Sequence, residues 1–494
     1  MRAVARVVVD TDALESWTQP WRGGLVDERD DLSAATGPFR TYQRHVEVVA
    51  TDDGRHRVTS TVRFTLAVPY WSWLFGPLLR PSLKKPGAPL PWWGPADQLD
   101  ARASSVLGLL CVASLVTGYL GTLMSQTITY AAEDFGLDGY GPQSVALTVA
   151  RFSVVFAVAL VALADRRGRR RMLLVATAGG CLLTALTALA PDLAWYTVAQ
   201  IPSRGFATAI GVLVVVVAAE EMPAGGRAFG VSLLGMSAAL GAGICVMALR
   251  VADTGAGGWR WLFLVPLLAL PLVRDLARRL PESRRFEAAH AAGDLSDHTD
   301  RLWLLAASVF LLQLFTAPAS QLQNEFLRDE RNYSAVGISL FTLVTSTPAG
   351  IGVVVAGHLA EVHGRRVIGA VGVVVGVGAT VAMFLSSGAP MWAWSVVGSV
   401  IGAMTVPALG VYGPELFSTG VRARANALLV VAGILGSGLG LLIAGPLSDH
   451  LGGLGPTLAL LAVGPAVLAV LVLTRYPETA HLELEDINPE DRPA

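Results

Sequence analysis

Charge is scarce in this chain. Asp, Glu, Lys and Arg make up 15% of its 494 residues against 53% hydrophobic ones, and the mean hydropathy is +0.54. A soluble globular domain carries about 25% charge, so the composition excludes an ordinary soluble fold and places the chain in lipid. Lysine is nearly missing: Lys84 and Lys85 are the only two. Cys111, Cys181 and Cys245 lie inside apolar runs with no Cys-x-x-Cys or Cys/His spacing, which argues against a disulfide framework and a zinc site. No metal and no cofactor are expected. No Gly-x4-Gly-Lys-Ser/Thr loop occurs, so an ATP-driven pump is not expected, and no catalytic cluster points to an enzyme. Met1 to Val9 carries Arg2 and Arg6 without an apolar core, so no cleavable signal peptide is expected there. The net charge of −1 says little, since the sign asymmetry between loops matters more than the sum, and no nucleic-acid partner is expected.

Long apolar runs are what the chain does have. A bilayer core takes roughly 20 apolar residues per helix, and twelve such runs follow one another between 104 and 474. They also repeat. Asp165 to Arg171 and Gly357 to Arg366 are two copies of one loop signature, each set between two apolar runs. Asp165 to Glu361, Gly168 to Gly364 and Pro281 to Pro477 are each 196 apart, and Glu220 to Glu415 and Arg227 to Arg422 are each 195. Landmarks in register over that length mark a duplication, and parallel halves with the substrate between them are a common plan of secondary transporters. The fold class predicted is an all-α membrane protein: twelve transmembrane helices in two pseudo-symmetric six-helix bundles, with a small N-terminal cytoplasmic α+β segment.

Arginine placement sets the orientation. Sixteen arginines flank the loops after the even-numbered segments, whereas the opposite side holds Arg250, Arg260, Arg328 and Arg331. Positive charge favours the cytoplasmic side, so both termini are expected there, in a multi-pass protein of the cytoplasmic membrane. The expected divisions are an N-terminal cytoplasmic segment at 1–102, one bundle at 103–280, a linker at 281–301, a second bundle at 302–478 and a tail at 479–494. Within 1–102, His45 to Ala50 and Val58 to Val62 read as strands around an Asp-Gly turn. Tyr70 to Phe75, with Arg80, Lys84, Lys85, Trp92 and Trp93, reads either as a segment on the membrane surface or as an apolar face packed on that sheet.

From Ser104 to about Thr479 the chain resembles the major facilitator superfamily, whose loop signature Gly-x3-Asp-Arg-x-Gly-Arg-Arg is found twice. The first copy has Val161 in place of the glycine, and the second has Glu361 in place of the aspartate. The Glu-x6-Arg spacing of Glu220 and Arg227, its copy Glu415 and Arg422, and the Pro-Glu-Ser and Pro-Glu-Thr tags resemble the sugar-porter and metabolite:proton symporter branch. Segment 5 lacks the glycine-proline signature of drug:proton antiporters. The resemblance implies a cytoplasmic latch of Asp165, Arg169, Glu220, Arg227 and Glu282, mirrored by Glu361, Arg365, Glu415, Arg422 and Glu478, closed in one transport state and released in the other.

Ionisable residues deep in a span are costly, about 2.5 to 3.5 kcal/mol on insertion scales, and usually functional. Arg151 and Arg204 lie roughly mid-membrane in segments 2 and 4. Relatives often pair a segment 4 arginine with a proton-binding acid in segment 1, but this segment has no acid before Glu133 and Asp134. Two arginines without a resident carboxylate lead to the expectation of an anionic substrate, an organic carboxylate or similar anion, with proton symport as the coupling. One arginine held by backbone carbonyls and polar neighbours is the structural alternative. Tyr119, Gln126, Gln321 and Asn324 complete the expected substrate site. The protein is expected to act as a monomer. The other readings are a sugar facilitator and a transporter-like receptor that signals through its N-terminal segment.

Overall fold

A computed structural model describes residues 1–52, 54–137, 146, 149–249, 251, 255, 257–284, 298–323, 326–333 and 335–491. The N-terminal part forms its own small domain. Strands β1 (Arg2–Val9), β4 (Phe39–Ala50) and β5 (His56–Leu66) make an antiparallel sheet ordered β1-β5-β4. β2 (Asp27–Glu28) and β3 (Ala34–Thr36) form a separate two-stranded ribbon. The expected hairpin is present and longer than its alternating core, pairing Val48 with Val58 and Ala50 with His56. Gly54 closes it at φ 75°, a conformation that glycine adopts without a Cβ penalty; Asp53, its expected partner in the turn, lies outside the described residues.

β1 was not anticipated. Its partner β5 lies more than 50 positions away (Val4 faces Thr61), and no local pattern announces so distant a pairing. Two helices pack with the sheet, α1 (Thr11–Thr18) and α2 (Ser72–Leu79). Trp17, Trp21, Val58, Val62 and Phe64 are buried in the domain core. Arg44 is buried among them, donating from Nε to Glu28 Oε1 at 2.8 Å, from Nη1 to Trp17 O at 2.6 Å and from Nη2 to Gln19 O at 2.7 Å. Such saturation is what allows a buried charge.

The rest is helical. The first half holds α3 (Ala101–Asp134), α4 (Val154–Arg167), α5 (Arg169–Leu186), α6 (Leu193–Glu221), α7 (Arg227–Ala248), α8 (Trp259–Leu264) and α9 (Leu270–Arg279). The second half holds α10 (Thr299–Gln321), α11 (Ala335–Ser346), α12 (Ala349–His363), α13 (Arg365–Leu385), α14 (Gly388–Gly402), α15 (Thr405–Gly410), α16 (Tyr412–Glu415), α17 (Arg422–Leu451), α18 (Leu454–Leu461) and α19 (Val463–Arg475). Among the described residues ten helical segments are long and apolar enough to cross a membrane. The second and sixth expected segments, 142–163 and 258–277, are not among these ten, and residues 142–145 and 147–148 of the second lie outside the described residues. The second runs through a short 3-10 turn at Ala150–Ser153 into α4, with Ala146 and Val149 before it also helical, and the sixth is split into α8 and α9 by a 3-10 turn at Val265–Ala269 containing Pro266. Proline removes a backbone donor and crowds the preceding turn, which is the physical cause of such breaks.

The duplication is visible in backbone contact. A Cβ on Gly118 of α3 would stand 1.8 Å from Ala238 O of α7, and one on Gly241 of α7 would stand 1.9 Å from Leu115 O of α3. In the second half, Gly436 and Gly440 of α17 meet Phe310 O and Leu314 O of α10 in the same way, at 2.4 and 2.3 Å. Small residues at these crossings let backbones touch, the usual basis of helix packing in lipid. Large apolar side chains such as Leu182, Leu189, Met247 and Leu442 remain outside, as a lipid-facing surface requires.

Candidate functional site

Both copies of the loop signature fold into the same sharp turn. Gly168 (φ 97°, ψ 143°) joins α4 to α5, and Gly364 (φ 94°, ψ 141°) joins α12 to α13. The turn places the acid that ends one helix next to the arginine that begins the next, so Asp165 meets Arg169 at 3.0 Å and Glu361 meets Arg365 at 3.0 Å. Arg365 also pairs with Glu415, and Arg169 lies 3.4 Å from Glu220.

The two Glu-x6-Arg motifs then exchange partners between the halves. Arg422 of the second half donates to Glu220 of the first at 2.8 Å, and Arg227 of the first contacts Glu415 of the second at 3.4 Å. Backbone groups reinforce the exchange: Ala228 N donates to Glu361 Oε1 at 2.6 Å, Arg424 N to Asp165 Oδ2 at 2.8 Å, Arg365 Nη2 to Ala224 O at 3.2 Å, and Arg169 to Thr419 O. All four arginines and Glu220, Glu361 and Glu415 are buried. Burial also pushes the Asp165 carboxyl up to about 6, against the opposing pull of Arg169.

Glu282 and Glu478, from the Pro-Glu tags, stay within their own halves. Glu282 accepts from Arg170 N at 3.0 Å, and Glu478 accepts from Arg365 N at 2.9 Å and Arg366 N at 3.2 Å. Each caps the first turn of α5 or α13, where orphan N–H groups favour an anion. The tail adds partners that the sequence did not signal. Glu483 contacts Arg227 at 3.2 Å, and Asp491 accepts from Thr419 N at 2.9 Å and lies 3.3 Å from Arg422. Nothing in the spacing of an acidic tail marks these residues in advance.

At the opposite end, the polar contacts among the described residues remain within one half. Asp134 pairs with Arg260 at 2.5 Å, Arg331 donates to Phe384 O and Ser386 O, and Glu330 caps Leu454 N at 2.9 Å. The halves are therefore joined at the latch end, with the outermost cross-half hydrogen bond at mid-helix, where Arg151 Nη1 donates to Ser437 Oγ at 3.0 Å.

Arg204, also at mid-helix, reaches Gly121 O at 3.4 Å. Among the described residues neither arginine has a carboxylate partner. Tyr119 turns away, its hydroxyl donating to Leu262 O at 2.9 Å inside the first half. Gln126 is half-buried and Gln321 exposed; Asn324 lies outside the described residues. Gln200, on the same helix as Arg204, donates to Thr187 Oγ1 at 2.8 Å.

The family model of the Major Facilitator Superfamily matches residues 108–273 and 302–492. No curated protein matches the chain. Among solved structures, the proton:xylose symporter XylE bound to 6-bromo-6-deoxy-D-glucose aligns with a TM-score of 0.67 at 17% identity, covering 79% of this chain and 99% of that one. The human organic anion transporter MFSD10 aligns with a TM-score of 0.62 at 15% identity, covering 75% and 99%. FucP in its outward conformation aligns with a TM-score of 0.61 at 14% identity, covering 75% and 98%; FucP is the fucose:proton symporter of E. coli. At such identities these likenesses concern the fold alone.

Proposed function

The chain belongs to the major facilitator superfamily, and from that premise we propose that it is a secondary transporter moving a small organic anion across the cytoplasmic membrane by alternating access, with proton symport. The latch end faces the cytoplasm in this reading, supported by its arginines, and the closed latch corresponds to an outward-facing state. Rocking then requires the exchanged pairs to separate, because only contacts that differ between two states bias their equilibrium.

The observation that carries the substrate class is the pair Arg151 and Arg204. Each is held by a single neutral acceptor among the described residues, Ser437 Oγ or Gly121 O. Two guanidiniums at one depth repel, and a carboxylate between them removes the repulsion while supplying charge-assisted acceptors. Gln126, Gln321 and Asn324 complete the proposed polar lining.

The test is counterflow of labelled carboxylates in proteoliposomes. Saturable uptake driven by an inward proton gradient is expected, and Arg151→Ala and Arg204→Ala should each raise the KM for the anion by about tenfold or more, the worth of one hydrogen bond to a charged group. Unaltered anion affinity in both variants refutes the assignment.

A further inference from the structure

We propose that the N-terminal domain and the first half of the transporter enclose a second binding site, for a single acyl chain. The site is a cavity with about 80 Å³ of room behind an open mouth, which takes the end of one chain while the rest of the chain lies in the mouth. Leu66, Phe75 and Leu79 of the domain form one wall; Leu107 and Cys111 of α3, with Phe229 and Leu233 of α7, form the other. Among the described residues no charged side chain lines it, so an ionised group has no place inside.

One hydroxyl interrupts this apolar lining. Ser104 faces the cavity and is 2% exposed, and among the described residues its hydroxyl has no hydrogen-bond partner. A buried hydroxyl left unpaired costs about 1 to 3 kcal/mol, which a ligand relieves by presenting one acceptor oxygen. A long apolar body with a single ester carbonyl or neutral carboxyl at one end meets both demands.

Depth identifies the source of such a ligand. Ser104 to Cys111 fall in the first three turns of α3, roughly 4 to 15 Å from its start at about 1.5 Å per residue. That is where headgroups give way to acyl chains. Beside the cavity, α2 turns its other face outward, with Trp73 70% and Leu78 48% exposed, followed by exposed Arg80, Lys84 and Lys85. Aromatic, aliphatic and basic groups in that order suit an anionic bilayer surface.

The occupant would join two parts of different standing. Residues 1–107 lie outside the family match, whereas Phe229 is two residues from Arg227, which contacts Glu415 in the latch. A filled cavity therefore fastens the extra domain to the helix that carries a latch arginine. The inference needs the membrane location but not the anion assignment, so failure of the uptake test leaves it standing.

The experiment uses the full chain in nanodiscs with two probes: palmitic acid carrying a terminal diazirine, and phosphatidylglycerol bearing that same acyl chain. After photolysis and peptide mapping, labelling is expected between Leu66 and Leu79 and between Ser104 and Cys111, from the free acid, the phospholipid or both, and the productive probe identifies the source. Leu107→Trp, which fills the cavity, should lower this labelling about tenfold while leaving label at lipid-facing Leu182 unchanged. Leu233→Phe is a milder filling that serves if Leu107→Trp fails to fold, and Ser104→Ala should lower labelling by about fivefold at limiting probe. Label confined to lipid-facing positions with both probes, or cavity labelling unaffected by the filling variants, overturns the proposal.

Discussion

A guanidinium stripped of water must find several acceptors at once, and its planar fork can serve more than one partner. Arg422 illustrates this, donating to Glu220 and Phe417 O while lying against Asp491. Because both members of the Arg422 and Glu220 pair are fully buried, Glu220→Gln should weaken the latched state by about 3 kcal/mol or more. Glu483, 49% exposed beside Arg227, is screened by water, and Glu483→Gln should cost under about 1 kcal/mol. Double electron–electron resonance between spin labels at exposed Arg167 and His363, one in each half, reads the latched population for both. Asp165 gives the latch a pH dependence. Its carboxyl is pushed up to about 6 in the latched state, and its ordinary value of 3.8 returns once the halves part and water reaches it. The latched state therefore holds the proton more tightly, and this contribution is complete below the ordinary value and lost as pH rises through about 6. The latched fraction should fall from about pH 5 to about pH 7, and Asp165→Asn should abolish the fall; identical distance distributions for the natural protein at both pH values refute the idea. The residue types of the latch were legible in the chain as repeated motifs. Their partners were not, since each arginine of the Glu-x6-Arg motifs crosses to the other half.

Helix contact in this protein depends on where side chains are missing. At Gly118 a Cβ would collide with the backbone of α7, whereas at Gly378 of α13 nothing lies within 4 Å. Gly118→Ala should therefore lower the melting temperature, at a cost of about 1 to 3 kcal/mol for forcing the two backbones apart. Gly378→Ala should leave it unchanged or raise it, because alanine favours a helix by about 0.5 to 1 kcal/mol over glycine. Thermal unfolding in detergent, followed by intrinsic tryptophan fluorescence, separates the two. Apolar length announced most of the spans from the sequence. It did not show that the sixth segment breaks at Pro266, or that glycines of one helix meet the backbone carbonyls of another at two equivalent crossings, because composition records neither rotation about a helix axis nor its neighbour. The N-terminal sheet has the same character: β4 and β5 follow from local alternation around Gly54, while β1 is recruited from far along the chain.

Two charge clusters join the halves of the molecule, the proposed latches, and they share no residue. Asp165, Arg169, Glu220 and Arg422 form one, and Glu361, Arg365, Glu415 and Arg227 form the other. Each takes three members from one half and one arginine from the other, so rigid rocking must break both. Glu220→Gln and Glu415→Gln should weaken the latched state additively, within about 0.5 kcal/mol, in the same spin-label measurement; a double variant no worse than either single one would show a single coupled latch. The sequence by itself determined that this is a duplicated, twelve-run membrane chain of the facilitator type, because hydropathy, arginine placement and a repeated loop signature are written in one dimension. Only the tertiary structure decided which acid meets which arginine, that Glu282 and Glu478 serve helix ends, that Tyr119 points away from the midplane arginines, and that an added domain closes a cavity over Ser104. Those outcomes depend on which surfaces come within hydrogen-bonding distance across the interface of two halves, and distances across an interface are fixed by packing rather than by spacing along the chain.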